Sequence, residues 1–314
     1  MIDLLRKREE GVALILTLLI TAILVTLIVE VNYSTQVGLR IAGNFRNDLQ
    51  AGYLAKSGVN IVISYLKFDV ENTDTDNLDE DWAKPYPPIP VGDGFVQVVT
   101  EDESAKINVN VMGDEKAAPK IREALSRVLS ILFERKDVDM GILDAIMDWV
   151  DPDGETRPDG AEDDYYGSLD PPYACKNGPL DTLSELRMIK GVTDEVYGKI
   201  FKYLTIYSKD GIININTVDM EVLMCLDEGI DGPMAVGIKE YREETPFGGQ
   251  NWQEAFRDVI NNDDVYNRIS PIIGVTSNAF SVESTGRVER VEKKIRAVIN
   301  REEKQISCRY WRTE

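Results

Sequence analysis

Residues 12–29 read VALILTLLITAILVTLIV, and residues 31–68 continue as VNYSTQVGLRIAGNFRNDLQAGYLAKSGVNIVISYLKF. The first stretch is apolar apart from Thr17, Thr21 and Thr26. As a helix rising about 1.5 Å per residue it spans on the order of 27 Å, enough to cross a hydrocarbon core. The second keeps a helical rhythm, with Val37, Ile41, Phe45, Leu49, Tyr53, Ser57 and Ile61 at four-residue spacing, and no proline occurs before Pro85. The pattern predicts one continuous helix: a membrane-embedded first half and an outer half that lays an apolar stripe against a folded body.

Arg6, Lys7 and Arg8 precede the apolar run, Glu30 follows it, and the next basic residue is Arg40. This asymmetry puts the N-terminus in the cytoplasm and everything after Glu30 outside, in a single-pass topology. A cleaved secretory signal has a shorter apolar core, about 7 to 15 residues, and a small-x-small cleavage site; VEVNYST offers none.

The chain of 314 residues carries 55 acidic against 35 basic side chains, a net charge of -20, and no histidine. Such a surface repels phosphate backbones and attracts cations, so nucleic acid is excluded as the expected partner and calcium is favoured. Without histidine, the usual proton shuttle and the commonest zinc ligand are missing, and the chain reads as non-catalytic. Cys175, Cys225 and Cys308 are odd in number and lack metal-like spacing, leaving open whether Cys175 and Cys225 bond.

Residues 70–90 (VENTDTDNLDEDWAKPYPPIP) lack either periodicity and mark a linker. GFVQVVT (94–100) and AKINVNV (105–111) read as a β-hairpin, and NAFSVESTGRVERVEKKIRAVINRE (278–302) as two further strands with a bend around Thr285 to Arg287. Between them, KAAPKIREALSRVLSILFERK and MGILDAIMDWV have helical spacing, with Leu125, Val128, Leu129, Leu132, Ile142, Ile146 and Trp149 facing a core. The following loop gathers Asp151, Asp153, Glu155, Asp159, Glu162, Asp163, Asp164 and Asp170 among glycines and prolines. Calcium takes six to eight oxygens in flexible geometry, and loops beyond about 12 to 15 residues usually need an internal tie. The spacing is not that of an EF-hand: Gly154 takes the fourth position counting Asp151 as the first, and prolines interrupt the run to Glu162.

KREEGVALIL resembles a prepilin leader, and DWVDPDGETRPDGAEDDYYGSLDPPYACKNGPLDTLSELRMIKGV resembles the general secretion pathway protein K family in its DWxDxD opening, GAEDxYY centre, DPPY turn and PLxxxSELRxIxG helix start. The resemblance implies an α+β fold: a pilin-like long N-terminal helix packed on an antiparallel sheet, with a large all-α insertion. The expected organisation is a leader over 1–11, a helix over 12–69, a sheet from 91–112 and 277–304, and an inserted helical unit over 113–276. Prepilin peptidase would cleave between Gly11 and Val12 and keep the helix, and methylation of the new terminus goes with such processing. In most pilins the fifth mature residue is glutamate, whereas Leu16 stands here, the mark of the K-type minor subunit. The function implied is that of a minor pseudopilin at the tip of the type II secretion pseudopilus, anchored in the inner membrane with its bulk in the periplasm. Its partners would be the I-type and J-type minor pseudopilins. Calcium is expected as a structural ion on Asp151, Asp153, Glu155, Glu162, Asp163 and Asp170.

LSELRMIKGVTDEVYGKIFKYL and IININTVDMEVLMCLDEGIDGPMAVGIKEYREETPFGGQNWQEAF resemble helix-hairpin-helix (SAM-like) units, the second that of a competence DNA receptor. A membrane-anchored DNA-uptake receptor is therefore the alternative. Asp227, Glu228 and Asp231 at the hairpin would repel a phosphate, which favours a packing role for the motif.

Overall fold

The computed structural model describes residues 2–302 and 305–314, with side chains from Val12 onward. Helix α1 (Ile2–Asn72) is unbroken. Its threonine hydroxyls donate back to their own helix, Thr17 to the Leu14 carbonyl at 2.8 Å, Thr21 to Thr17 at 2.7 Å and Thr26 to Ala22 at 2.9 Å. Each satisfied hydroxyl lets the segment stay effectively apolar.

Strands β1 (Ile89–Val91) and β2 (Gly94–Asp102) form the first hairpin. The chain then leaves the sheet. AKINVNV does not pair with β2: β3 (Ile107–Asn108) and α2 (Val109–Gly113) follow, and the Asn108 side chain caps α2 by accepting from Asn110 N. Ile107, Asn108 and Val109 are all buried, so the alternation that predicted a half-exposed strand belongs to a segment enclosed on every side. The helical insertion thus begins near Glu103 rather than at 113.

Helices α3 (Pro119–Lys136), α4 (Gly141–Val150), α5 (Asp163–Tyr166) and α6 (Asp194–Ile200) come next. Two-residue strands β4 (Leu204–Thr205) and β5 (Ile213–Asn214) are followed by α7 (Met220–Leu223), α8 (Gly232–Glu244), α9 (Trp252–Ile260) and α10 (Asp263–Ile269), then β6 (Ile273–Gly274). β4 runs parallel to β3, and β6 parallel to β5, closing two successive parts of the segment. The seven core residues expected on α3 and α4 are all buried in one cluster, which extends through Phe247 and Phe256.

The chain returns through β7 (Ala279–Val288), β8 (Val291–Glu302) and β9 (Gln305–Thr313), giving one antiparallel sheet in the order β1-β2-β7-β8-β9. The bend expected at Thr285 to Arg287 lies later, at Glu289 and Arg290, where Glu289 adopts a φ of 53°. β9, largely exposed at the sheet edge, was missing from the expected set.

Helix α1 packs across this sheet through Ala51, Ala55, Val59, Val62 and Leu66, against Phe280, Val282, Ile295, Ala297 and Ile299. Leu66 and Phe280 are fully enclosed, each contributing about 1.5–3 kcal/mol of burial. The expected contact stripe is the other face. Val37, Ile41, Phe45, Leu49 and Tyr53 are exposed, and Ser57 and Ile61 half-buried. Small residues win the contact because they permit close approach: a Cβ on Gly286 would lie 2.1 Å from the Ala51 carbonyl, and one on Gly58 2.1 Å from Ser284 Oγ.

Candidate functional site

Three features carried functional expectations: the N-terminal segment, the acidic loop and the helical hairpin. Leu16 sits in α1 among exposed Val12, Leu14 and Ile15, on a segment that touches nothing else in the chain. Among the described residues this is the one helix long and apolar enough to cross a membrane, in keeping with a single anchor. Gly11 falls within α1, and its surroundings lie outside the described residues.

The acidic loop is a strap held from beneath by α4. Asp148, fully buried on that helix, accepts from Arg157 Nη1 at 2.6 Å and from Arg157 N at 3.2 Å; the same Nη1 reaches Asp151 Oδ2 at 2.5 Å. Gly160 is required where the strap passes over this pair, because a Cβ there would lie 1.8 Å from Asp148 Oδ2. Asp163 Oδ1 accepts from Cys175 N at 2.8 Å and closes the far side. Below, Tyr166 is enclosed between Trp149 and Tyr173, with ring centroids 5.0 and 5.3 Å away.

Of the six expected metal ligands, Asp151 and Glu162 are buried, while Asp153, Glu155, Asp163 and Asp170 are exposed. Asp153 turns its Oδ1 to the Glu155 amide at 2.9 Å. Asp151 Oδ1 and both oxygens of Glu162 are enclosed without a partner. Burial pushes both carboxyls above their ordinary range, and Arg157 opposes the shift at Asp151. Buried, unpaired carboxylate oxygens are costly, and a hard cation is one way to satisfy them, but among the described residues no three of the six expected ligands bring their oxygens within 4.8 Å of one another. Asn177 Oδ1, also enclosed and unpartnered, and the Asn177 amide that donates to the Asp153 carbonyl at 2.8 Å were not foreseen. Neither was Asp148, whose helical spacing beside Trp149 reads as packing.

The second segment expected as a helical hairpin runs through α7 and α8, with residues 224–231 between them. Asp227 is buried and takes a two-pronged bond from Arg268, Nε to Oδ2 at 2.6 Å and Nη2 to Oδ1 at 2.8 Å. Asp231 caps α8 by accepting from Met234 N at 2.9 Å. Cys175, Cys225 and Cys308 are free thiols, and burial pushes the first two up to about 12, which leaves them protonated and unreactive.

A family model described as type II secretion system, protein K, matches residues 105–209. Type II secretion system protein K of Pseudomonas aeruginosa is 29% identical over 252 residues, which cover 77% of this chain and 75% of that protein. The Aeromonas hydrophila protein of the same name is 30% identical over 228 residues, 68% of this chain and 69% of that one. In fold, the chain is similar to one in the crystal structure of the GspK-GspI-GspJ complex from the enterotoxigenic Escherichia coli type 2 secretion system. The TM-score is 0.71 at 22% identity, over 88% of this chain and 99% of that chain. By these relationships the chain belongs to the type II secretion system protein K family of minor pseudopilins.

Proposed function

We propose that the chain occupies the tip of a type II secretion pseudopilus and starts or caps its assembly for protein export across the outer membrane. The position of the insertion carries this reading. Gly94 and Gly286 approach α1 near Leu54 and Ala51, whereas Asp102 pairs with Phe280 at the opposite end of the sheet, beside the last turn of α1. The insertion leaves and rejoins the sheet there, so it crowns the end remote from residues 12–29 and would obstruct a subunit stacking above.

Leu16 agrees with that place. In pilins the fifth-residue glutamate pairs with the N-terminal ammonium of the subunit above, and burying either charge alone in a bilayer is costly. A leucine requires nothing above it, while the ammonium on Val12, freed by prepilin peptidase, still receives a glutamate from below. The N-terminus then faces the cytoplasm and the body the periplasm. The I-type and J-type minor pseudopilins are the partners, a reading supported by the complex in which the similar fold occurs. The role is structural rather than catalytic.

Calcium belongs to this reading as a structural ion, with the buried Asp151 and Glu162 as its inner ligands and the exposed Asp153, Glu155, Asp163 and Asp170 as the others. When bound it supplies positive charge to the strap's enclosed oxygens. A DNA receptor role is disfavoured because the chain carries a net charge of -20 and the segment between α7 and α8 adds Asp227, Glu228 and Asp231, of which Asp227 is already paired with Arg268.

The test is replacement of Leu16. Leu16→Ile should leave secretion near wild type, and Leu16→Glu, which buries an unpaired carboxyl, should reduce it at least several-fold. Equal secretion by both variants would remove the argument from Leu16.

A further inference from the structure

The linker behind α1 brings three carboxylates together far from the acidic loop. Asp69, Asp76 and Glu80 each offer an oxygen, all within 4.8 Å of one another. Asp76 is 1% exposed and Asp69 8%. Among the described residues the cation paired with them is Arg301 on β8, whose Nη1 reaches Asp69 Oδ2 at 2.9 Å and whose Nη2 bonds Asp76 Oδ2. With all three ionised, three carboxylates against one guanidinium leave an excess of two negative charges, the complement of one divalent ion.

Most of the cluster's oxygens are already engaged. Asp69 Oδ1 accepts from Thr73 Oγ1 at 2.7 Å, Glu80 Oε1 from Asn77 Nδ2 at 2.9 Å, and Glu80 Oε2 from Trp82 Nε1 at 2.5 Å. Asp76 Oδ1 is the exception, enclosed and without any partner. An acceptor desolvated in this way costs free energy unless a proton or a cation meets it. Burial raises Asp76 to about 7 and Glu80 to about 8, so protons compete for the same oxygens.

We infer that Asp69, Asp76 and Glu80 form a divalent-cation site of the calcium type, separate from the acidic loop. All its donors are carboxylate oxygens, the chemistry that hard cations take. The site ties three parts of the chain. Asp76 N donates to the Val275 carbonyl at 2.8 Å where the insertion ends, Ser277 N donates to Asp76 Oδ2 at 2.7 Å, and Asn214 Nδ2 donates to the Asp76 carbonyl at 3.0 Å from within the insertion. A cation there fixes the helical unit to the end of α1, holding the crown rigid on the stem.

The experiment uses the full chain in detergent with Asp151→Asn and Glu162→Gln, which neutralises the two buried carboxylates of the acidic loop, and terbium as the probe. Trp82, bonded to Glu80, is the sensitiser beside the proposed site. Terbium emission excited through tryptophan should appear, be displaced by excess calcium, and fall at least twofold on Trp82→Phe but not on Trp149→Phe. Asp76→Asn with Glu80→Gln should abolish it. The inference is overturned if the loop-mutated chain gives no calcium-displaceable emission, or if that emission is unchanged by Trp82→Phe. Trp82→Phe leaves all three carboxylates in place, so the result stands even where the carboxylate variant misfolds. Filament position plays no part in the readout.

Discussion

Gly286 sits near the C-terminal end of β7, where its missing side chain makes room for α1. A Cβ there would meet the Ala51 carbonyl at 2.1 Å and the Ala55 amide nitrogen at 2.5 Å, both backbone atoms that cannot swing aside. Gly286→Val should therefore lift the helix from the sheet at a cost of about 3 kcal/mol, visible as a lower Tm. Gly52→Ala, where nothing lies within 4 Å of the added atom, should leave Tm level or slightly higher. Asp227 gives the pH counterpart. Burial works against its ionisation, yet the Arg268 fork and the Gly229 amide outweigh it and hold the carboxyl below its ordinary 3.8. Its contribution is thus complete above about pH 3.8 and lost as pH falls through the lower folded value. Because Arg268 is half in solvent, Asp227→Asn should cost only about 1–2 kcal/mol at neutral pH. The variant's unfolding curve should be flatter than wild type on the acid side. A steeper acid limb in the variant would contradict the pairing.

At the scale of elements, α1 was legible because an uninterrupted periodic run leaves few alternatives, and α3 and α4 because their apolar faces are wide. Which face of α1 meets the sheet was not legible. Bulk marks a helical stripe in sequence, whereas close packing on a sheet selected Ala51, Ala55 and Gly58. AKINVNV misled for a related reason: alternating Asn and Val read as a surface strand, but Asn108 spends its side chain on the Ser208 hydroxyl and carbonyl and on an α2 cap, all inside the core. In the loop, Asp151 and Glu162 were legible as acids in a long irregular segment. The Asp69, Asp76 and Glu80 cluster was not, since Arg301 closes it from 225 residues beyond Asp76. The exposed stripe on α1 acquires a different task. Leu49 and Tyr53 flank a groove with Ile295 and Trp311, an apolar surface that a neighbouring subunit would cover. Leu49→Asp should change the isolated chain's stability by no more than about 0.5 kcal/mol. Co-purification with the I-type and J-type subunits should drop at least tenfold, and unchanged co-purification would free this face from any role in assembly.

As a whole the molecule is a membrane stem, a small sheet and a crown larger than both, with the crown on the end remote from the membrane segment. An interior filament subunit has to present matching surfaces above and below, and on the proposed reading the crown would take up the upper one. Processing at Gly11 fits the same design because it would remove the basic leader and keep the stem. Intact mass of the extracted protein should then correspond to a chain beginning at Val12, and a chain beginning after Glu30 would take away the anchor. The direct measurement is the position of the protein on isolated pseudopili, read by gold labelling of an epitope in the insertion. The account predicts label at one end of each filament and none along its length. Label spaced regularly down the shafts would contradict it.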